Sequence, residues 1–485
     1  VLASLILCAY LLTLAGIVLY ALHRGWLLCI YLWRSRLERS STIWSGPLPP
    51  VTVQLPIYNE RYVVERLIDA VCALDYPREL LDIQVLDDSD DDTTQLAASC
   101  VARHVAGGIR IEHVRRSERL GYKAGALAYG LERAAGEFVL IFDADFVPPA
   151  DTLRRLLAPF VEPEVGMVQA RWGHLNREAS WLTRVQGLVL DGHFNIEHAA
   201  RSAAGLFFNF NGTAGMWRVA CLRDAGGWQW DTLTEDLDLS YRAQMRGWRF
   251  VYRPDVVVPG ELPPSVRAFK GQQARWAQGS IQTARKLLPV LMRGTWPRRL
   301  KLEALAHLTS YVPAPLTLGL AVLILPATIV RLERGWPVPL TVDLVVLAVA
   351  IGPLAMFYGQ TLRLSRRRAW PGLLVHLPMI LAVGIGISVN NTRALLAGLF
   401  GQGPAEFVRT PKRGSAAFGY RAGVSRWSTV AETGLAAYVS VAMGYALVAG
   451  LYPSIPFLLL FLYGFAAIAA GSVREPLARS EVSAA

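Results

Sequence analysis

Long apolar runs at both ends of this chain enclose a middle third that contains none and is rich in Asp and Glu. A bilayer core about 30 Å thick is crossed by about 20 apolar residues in a helix. The uncharged run Val1–Leu22 reaches that length, and His307–Val330, Thr341–Leu362, Thr433–Leu451 and Ile455–Ser472 also suit single spans. Hydrophobic residues make up 53% and charged residues 18%, with a mean hydropathy of +0.31. That balance excludes a disordered or collagen-like chain and a soluble enzyme with a charged surface. The segregation predicts a membrane protein carrying one sizeable soluble domain.

A shorter apolar piece, Leu27–Trp33, reads as a continuation of the first helix toward the interface. Leu373–Phe400 is interrupted by Asn390, Asn391 and Arg393 and is followed by Arg409, Lys412, Arg413, Arg421 and Arg426. Positive-inside logic puts both its ends in the cytoplasm, which makes it a re-entrant or interfacial element rather than one span. The net charge of +11 has the same origin. Arg34, Arg36 and Arg39 follow the first run, and Arg363, Arg366, Arg367 and Arg368 separate two later ones. Flanking positive charge accounts for the balance, and no nucleic-acid partner is expected. Cys8, Cys29, Cys72, Cys100 and Cys221 form no C-x-x-C pair, so neither a disulfide framework nor a zinc site is expected.

Pro47, Pro49 and Pro50 mark a boundary, and from Val51 the pattern becomes α/β. VTVQLPIYNE reads as a buried strand ending in a loop, Tyr62–Leu74 has helical spacing, and IQVLDDSDDD and FVLIFDADF are strands ending in acids. This alternation argues for a parallel, helix-covered sheet. Ligands bind beyond the carboxyl ends of such strands, so the three polar clusters should converge on one cleft. Ser180–Gly205 is amphipathic, with Trp181, Leu182, Val185, Leu188, Val189 and Phe194 among polar residues. It fits either docking on a membrane surface or a helix facing its own domain core.

Four constellations follow in order: Asn59–Glu60, Asp87–Asp88, Asp143-Ala144-Asp145 and Thr234-Glu235-Asp236. Alone, a D-x-D is commonly a solvated turn and a T-E-D a helix cap with first-turn acids. Their order, with two of them ending buried strands, points to a shared site. A nucleotide diphosphate leaving group needs a hard cation, and Mg²⁺ or Mn²⁺ prefers the carboxylate oxygens that Asp143 and Asp145 supply. Lys123, in RLGYKAGAL, follows a glycine turn at a helix start, where its charge opposes the helix dipole unless an anion binds there. An acceptor hydroxyl must lose its proton as it attacks, and Asp236 is the candidate base.

LPIYNE, LDDSDD, GYKAGAL, FDADF, FNGTAGMWR, TEDLDLSYR and QQARW occur here in the order found in family-2 processive glycosyltransferases. The chain resembles a bacterial relative of cellulose synthase. Its wording is nearest the cellulose synthase-like A and C groups, which make mannan or glucomannan and the xyloglucan glucan backbone. The resemblance is strong over Val51–Gly279. It implies an α/β GT-A catalytic domain with a Rossmann-like mixed sheet over residues 47–300. That domain would lie between an N-terminal transmembrane helix with an interfacial extension (1–46) and a C-terminal transmembrane region (301–485). The implied enzyme inverts the anomeric centre, depends on Mg²⁺ or Mn²⁺, and draws hexose from UDP-glucose or GDP-mannose. The acceptor would be a growing polysaccharide of β-1,4-glucan or mannan type, translocated by the enzyme's own spans or with an export subunit. The expected place is the inner (plasma) membrane, multi-pass in the lipid bilayer, with the catalytic domain cytoplasmic.

By the same resemblance, Glu60 and Asp88 hold the nucleoside and Lys123 the diphosphate. Asp143 contacts nucleotide and metal, Asp145 ligates the metal, and Asp236 is the base within Thr234-Glu235-Asp236. Asn211, Gly212 and Thr213 line the acceptor end. Gln272, Arg275 and Trp276 form the Q-x-x-R-W signature, with Arg275 on the diphosphate and Trp276 stacked on the acceptor sugar. An indole suits the apolar C–H face of a pyranose, although tryptophan is also a common membrane-interface anchor. FVRTPK resembles the gating loop of cellulose synthase through Phe407, Thr410 and Lys412, within a loop near 404–426. Arg409 stands where that loop has valine, which departs from the pattern. A non-processive enzyme acting on a lipid, such as ceramide glucosyltransferase, shares Q-x-x-R-W, but at least five spans and the gating-like loop favour polymer synthesis. Intact D-x-D, T-E-D and Q-x-x-R-W motifs argue against a decayed, inactive scaffold.

Overall fold

The computed structural model describes residues 1–34, 44, 46–333, 340–365, 369–401 and 426–474. Strands β1 (Val51–Ile57), β2 (Leu81–Asp87), β3 (Ile111–Arg115), β4 (Phe138–Ile141), β5 (Val165–His174), β6 (Gly215–Arg218) and β7 (Arg249–Gly260) form one sheet. Their order is β3-β2-β1-β4-β6-β5-β7. The pairs β1–β2, β1–β4 and β2–β3 are parallel, as the α/β alternation requires. β6 runs antiparallel to β4 and β5, so the sheet is mixed rather than parallel throughout. The reversal has a local cause. Asn211–Ala214 reach the carboxyl end of β4, where the Ala214 amide donates to Ile141 O at 2.8 Å, so the strand that leaves from there must run back down.

Alternate residues of the central strands feed two cores. Phe138 and Leu140 join Val53, Leu55, Leu67 and Ile83 on one face, while Val139 and Ile141 join Leu127, Phe210, Trp217 and Leu239 on the other. Helices Val64–Cys72 and Thr93–Ala106 supply the first cover, and Tyr122–Arg133 and Glu235–Met245 the second. Each fully buried aliphatic or aromatic side chain contributes about 1.5–3 kcal/mol. Burial on both faces explains why these strands read as continuous apolar runs.

The first apolar run and its extension form one unbroken helix, Leu2–Arg34, packed against helices Pro313–Glu333 and Leu340–Leu364. Among the described residues, four helices are long and apolar enough to cross a membrane: Leu2–Arg34, Pro313–Glu333, Trp427–Val448 and Tyr452–Arg474. The interrupted run is two helices, Pro371–Gly386 and Ser388–Phe400, bent by 47°, a geometry of a broken span or a re-entrant loop. The second of these packs on helix Val266–Arg293, where Arg285 donates to Gly398 O at 2.9 Å and Asn390 to Lys270 O at 2.9 Å. Helix Arg298–Leu308 runs across the domain boundary expected at residue 300.

The amphipathic stretch divides its apolar residues between two surfaces. Leu182, Val185, Leu188 and Ile196 pack with Leu28, Val266, Phe357 and Leu373, whereas Phe194 enters the core beside Phe208 and Phe210. Ser180 opens it with a capping box, its hydroxyl accepting from the Thr183 amide at 3.1 Å. It is therefore the seam between the sheet domain and the helices, and its turn His193–His198 is wound as a π-helix.

Candidate active site

Strand register brings the motifs together. In the β1–β2 ladder Ile57 lies opposite Asp87, so Tyr58–Glu60 and Asp88–Asp90 leave the sheet side by side. Asn59 takes a left-handed φ of 56° and latches the two loops: its Nδ2 donates to Asp90 Oδ1 at 2.7 Å, and the Asp90 amide donates to Asn59 Oδ1 at 3.1 Å. Asn tolerates that backbone better than other residues with a Cβ. Asp87 points away from the cleft and is held by the Ser89 amide and His113. Asp88 lines the cleft and is gripped by Arg116 through Nε at 2.9 Å and through Nη2.

The D-x-D lies in the turn after β4 rather than on the strand, because β4 ends at Ile141. Lys123 sits in the first turn of helix Tyr122–Arg133, entered through Gly121 at φ 71°. Its ammonium donates to Asp143 Oδ1 at 2.5 Å and to Gly212 O at 2.9 Å. Burial works against the charged amine, but Asp143 and Glu235 outweigh it and raise the Lys123 pKa. The Asp143 side chain is 34% exposed, whereas Asp145 is buried with Oδ2 accepting from the Glu261 amide at 3.3 Å. Two hard carboxylates on one turn, at the mouth of a cleft that also presents Lys123, suit a divalent cation shared with phosphate oxygens.

Thr234-Glu235-Asp236 opens helix Glu235–Met245, but the Thr234 hydroxyl does not cap it and lies 3.3 Å from the Thr283 hydroxyl instead. Helix Val266–Arg293 presses on this turn at Gly279, where an added Cβ would fall 2.5 Å from Thr234 Cγ2 and 2.8 Å from its backbone nitrogen. Only glycine permits that approach. Gly212, at φ 80°, faces the other side of the turn, and a Cβ there would meet Asp236 Oδ2 at 3.1 Å. Burial, reinforced by the Glu235 charge and opposed by Lys123, pushes the Asp236 carboxyl up to about 7. Burial raises Glu235 as well, against the pull of Lys123. The same helix Val266–Arg293 presents Gln272, Arg275 and Trp276 to the cleft, and burial lowers Arg275 to about 10.

The cleft, with the open solvent at its entrance counted in, spans about 1330 Å³. It brings together Glu60, Asp88, Lys123, Asp143, Asp145, Asn211, Gly212, Thr234, Glu235, Asp236, Gln272, Arg275 and Trp276. Thr213 is the exception among these expectations. It is fully buried and does not line the cleft; its hydroxyl accepts from the Asp143 amide at 2.8 Å, fixing the D-x-D turn from behind. Phe407, Thr410 and Lys412 lie outside the described residues. Sequence reasoning missed Arg119, which lines the cleft with its guanidinium 3.4 Å from the Tyr58 ring centroid. The signal was available, since Arg119 stands four residues before Lys123 in RLGYK. It also missed Gln169, whose Oε1 accepts from the Asn211 amide at 3.0 Å.

The sequence profile described as glycosyltransferase like family 2 matches residues 49–279. Glucomannan 4-beta-mannosyltransferase 2 of Arabidopsis thaliana is 37% identical over 428 residues, spanning 84% of this chain and 77% of that protein. Glucomannan 4-beta-mannosyltransferase 1 of Oryza sativa subsp. japonica is 37% identical over 388 residues, 77% of this chain and 71% of its own. Among solved structures, a mannosyltransferase from Pyrobaculum calidifontis in complex with GDP-Man and Mn²⁺ aligns with a TM-score of 0.52 at 24% identity. That alignment covers 80% of this chain and 99% of the other, and it bears on the fold.

Proposed function

Because this chain belongs to the family-2 glycosyltransferases, we propose that it is an inverting membrane mannosyltransferase that extends a β-1,4-linked polysaccharide from GDP-mannose. The named activity of its 37%-identical relatives supports mannose as the transferred sugar and the 4-β linkage. The observation that carries the chemistry is the wall where Asp236 faces Gly212 and the Lys123–Asp143 pair. A carboxylate raised to about 7 is matched to accepting a proton near neutral pH. In this reading Asp236 takes the proton of the chain-end hydroxyl as its oxygen attacks the sugar C1. The glycosidic bond forms on one face while the bond to the diphosphate breaks on the other, which inverts the centre.

Lys123 and Arg275 meet the charge that develops on the departing diphosphate, in a buried site where such contacts are strong. Glu60 and Asp88 bind the nucleoside, with Asp88 fixed by Arg116. Asp143 and Asp145 would hold Mg²⁺ or Mn²⁺, which when bound supplies positive charge to the phosphate oxygens. Thr234 and Glu235 set the position and charge of the base. Trp276, Gln272, Asn211 and Gly212 receive the acceptor, with Thr213 acting through Asp143 rather than on the sugar. We place the sheet domain on the cytoplasmic side of the plasma membrane, where nucleotide sugars are made, consistent with the arginines that flank the spans.

The test is a panel of GDP-mannose and UDP-glucose with purified enzyme, Mg²⁺ or Mn²⁺ and a short β-1,4-mannan oligosaccharide, followed by linkage analysis. Polymer from GDP-mannose with 4-linked β-mannose is expected. Polymer from UDP-glucose alone would overturn the donor, and a single sugar added to lipid would overturn the polymer.

A further inference from the structure

Behind the acceptor wall lies a hydrogen-bonded chain that the reaction as described does not use. It begins at Glu197, whose carboxylate sits between Arg201 Nη1 at 3.5 Å and Arg24 Nε at 3.7 Å. Burial pushes its pKa up, but Arg24, His193 and Arg201 more than reverse this and hold it well below the usual range. An ionised carboxylate can only accept. His193 Nδ1, 3.1 Å from Glu197 Oε2, therefore carries a proton, and in the neutral tautomer that this contact selects Nε2 keeps a lone pair. What faces that lone pair, at 3.1 Å, is Asn211 Nδ2.

The other end gives the same answer independently. His198 Nε2 lies 3.1 Å from the Asn209 carbonyl oxygen, which can only accept, so this nitrogen must carry a proton. Asn211 Oδ1 stands 2.6 Å away and accepts from it. Burial keeps His198 neutral by lowering its pKa, and its Nδ1 is buried without a hydrogen-bond partner among the described residues, as a lone pair here would be. Both histidines thus dictate one orientation of the amide. The π-winding of His193–His198 makes the clamp geometrically feasible. In an α-helix, residues five apart point about 140° from each other; here the two imidazole centroids are 4.3 Å apart. Such windings recur at functional sites.

We propose that His193 and His198 are positioning residues that lock the Asn211 amide, so that it meets the acceptor sugar as a hydrogen-bond donor. This rests on the reading of Asn211 as part of the acceptor end. With Oδ1 turned to His198 and one N–H given to His193, the second N–H of Nδ2 remains for a sugar hydroxyl oxygen beside Gly212 and Asp236. The Asn211 backbone is anchored separately by Gln169, so the amide can be disturbed without shifting the Lys123–Gly212 contact.

The test separates polarity from size. Gln at position 193 can donate to Glu197 and accept from Asn211, whereas Lys can only donate and Phe can do neither. His193→Phe and His193→Lys should raise the KM for a β-1,4-mannan oligosaccharide about three- to tenfold, the worth of one net hydrogen bond, with the GDP-mannose KM unchanged. His193→Gln should restore the acceptor KM. The clamp is overturned if all three variants behave alike, or if donor and acceptor KM rise together, which would mean a general structural role. Asn211→Ala distinguishes the premise. If it leaves the acceptor KM unchanged, Asn211 is not at the acceptor end; if it raises the KM while His193→Lys does not, only the clamp fails.

Discussion

Asp236 and Glu235 are consecutive carboxyl groups on a buried turn, and their mutual repulsion should be legible in a pH profile. Burial and the Glu235 charge together lift Asp236 to about 7, with Lys123 pulling the other way. A base acts only when ionised, so kcat/KM in the wild type should fall about tenfold for each pH unit below that value. Glu235→Gln removes the repelling charge and leaves the burial intact. A neighbouring carboxylate in such a site is worth about 1–2 kcal/mol, so the acid limb should descend by about one pH unit. At about pH 6 the wild type then keeps about a tenth of its plateau and the variant about half, by the titration of a single base.

The same shift has a sign for stability. A carboxyl raised in the folded state binds its proton more tightly there than in the unfolded chain. Its ionisation therefore destabilises the fold progressively as pH rises from the ordinary carboxylate range to about 7. Glu235→Gln should accordingly melt higher than the wild type at about pH 8 while the two converge at low pH. The assay is transfer from GDP-mannose across pH, paired with melting curves in detergent. An acid limb unmoved by Glu235→Gln, or a wild-type profile flat through neutrality, would remove Asp236 as the titrating base.

The remaining expectations touch other parts of the cleft. Asp236→Asn should lower transfer by about 10²–10⁴ on the plateau above about pH 7 and lose the acid limb, while still binding nucleotide in a calorimetric titration. Asp145→Ala should be inactive even in excess Mn²⁺, and EDTA should silence the wild type; full activity in EDTA would reduce the D-x-D to a turn. Trp276→Ala should shorten the polymer by raising chain dissociation about tenfold to a hundredfold, on the scale of a lost aromatic stack, and product length by gel filtration decides it. Gly279→Ala drives a Cβ into Thr234 and should cut kcat with little change in donor affinity; unchanged kcat would show that the Thr234 turn can yield.

What the sequence disclosed and what it withheld divide along one physical line. β1, β2 and the acids that follow them were readable because their burial and function both lie within a few consecutive residues. Parallel register then converts sequence order into spatial neighbourhood, bringing Glu60 beside Asp88 and the Asp143 turn alongside. The reversal at β6 was not readable, because it follows from where the chain stands in space when Gly215 begins, not from the residues of the strand. Thr213 was misplaced for a related reason: a motif gives adjacency along the chain, while the left-handed backbone at Gly212 breaks the alternation that would put residues two apart on one face, so Asn211 faces the cleft and Thr213 the back of Asp143.

His193, Glu197 and Arg201 carry no local signature at all. Their partners stand on the first helix at Arg24, on the cleft strand approach at Asn211 and on Glu303, which Arg201 meets at 2.7 Å. Polar groups this deep persist only when each has a partner of the right sense, and that sense is what orients Asn211. A single unpaired His in a sequence is ordinarily a satisfied core residue; here the satisfaction runs through a cleft amide, so removing it should be felt at the acceptor before it is felt in the fold.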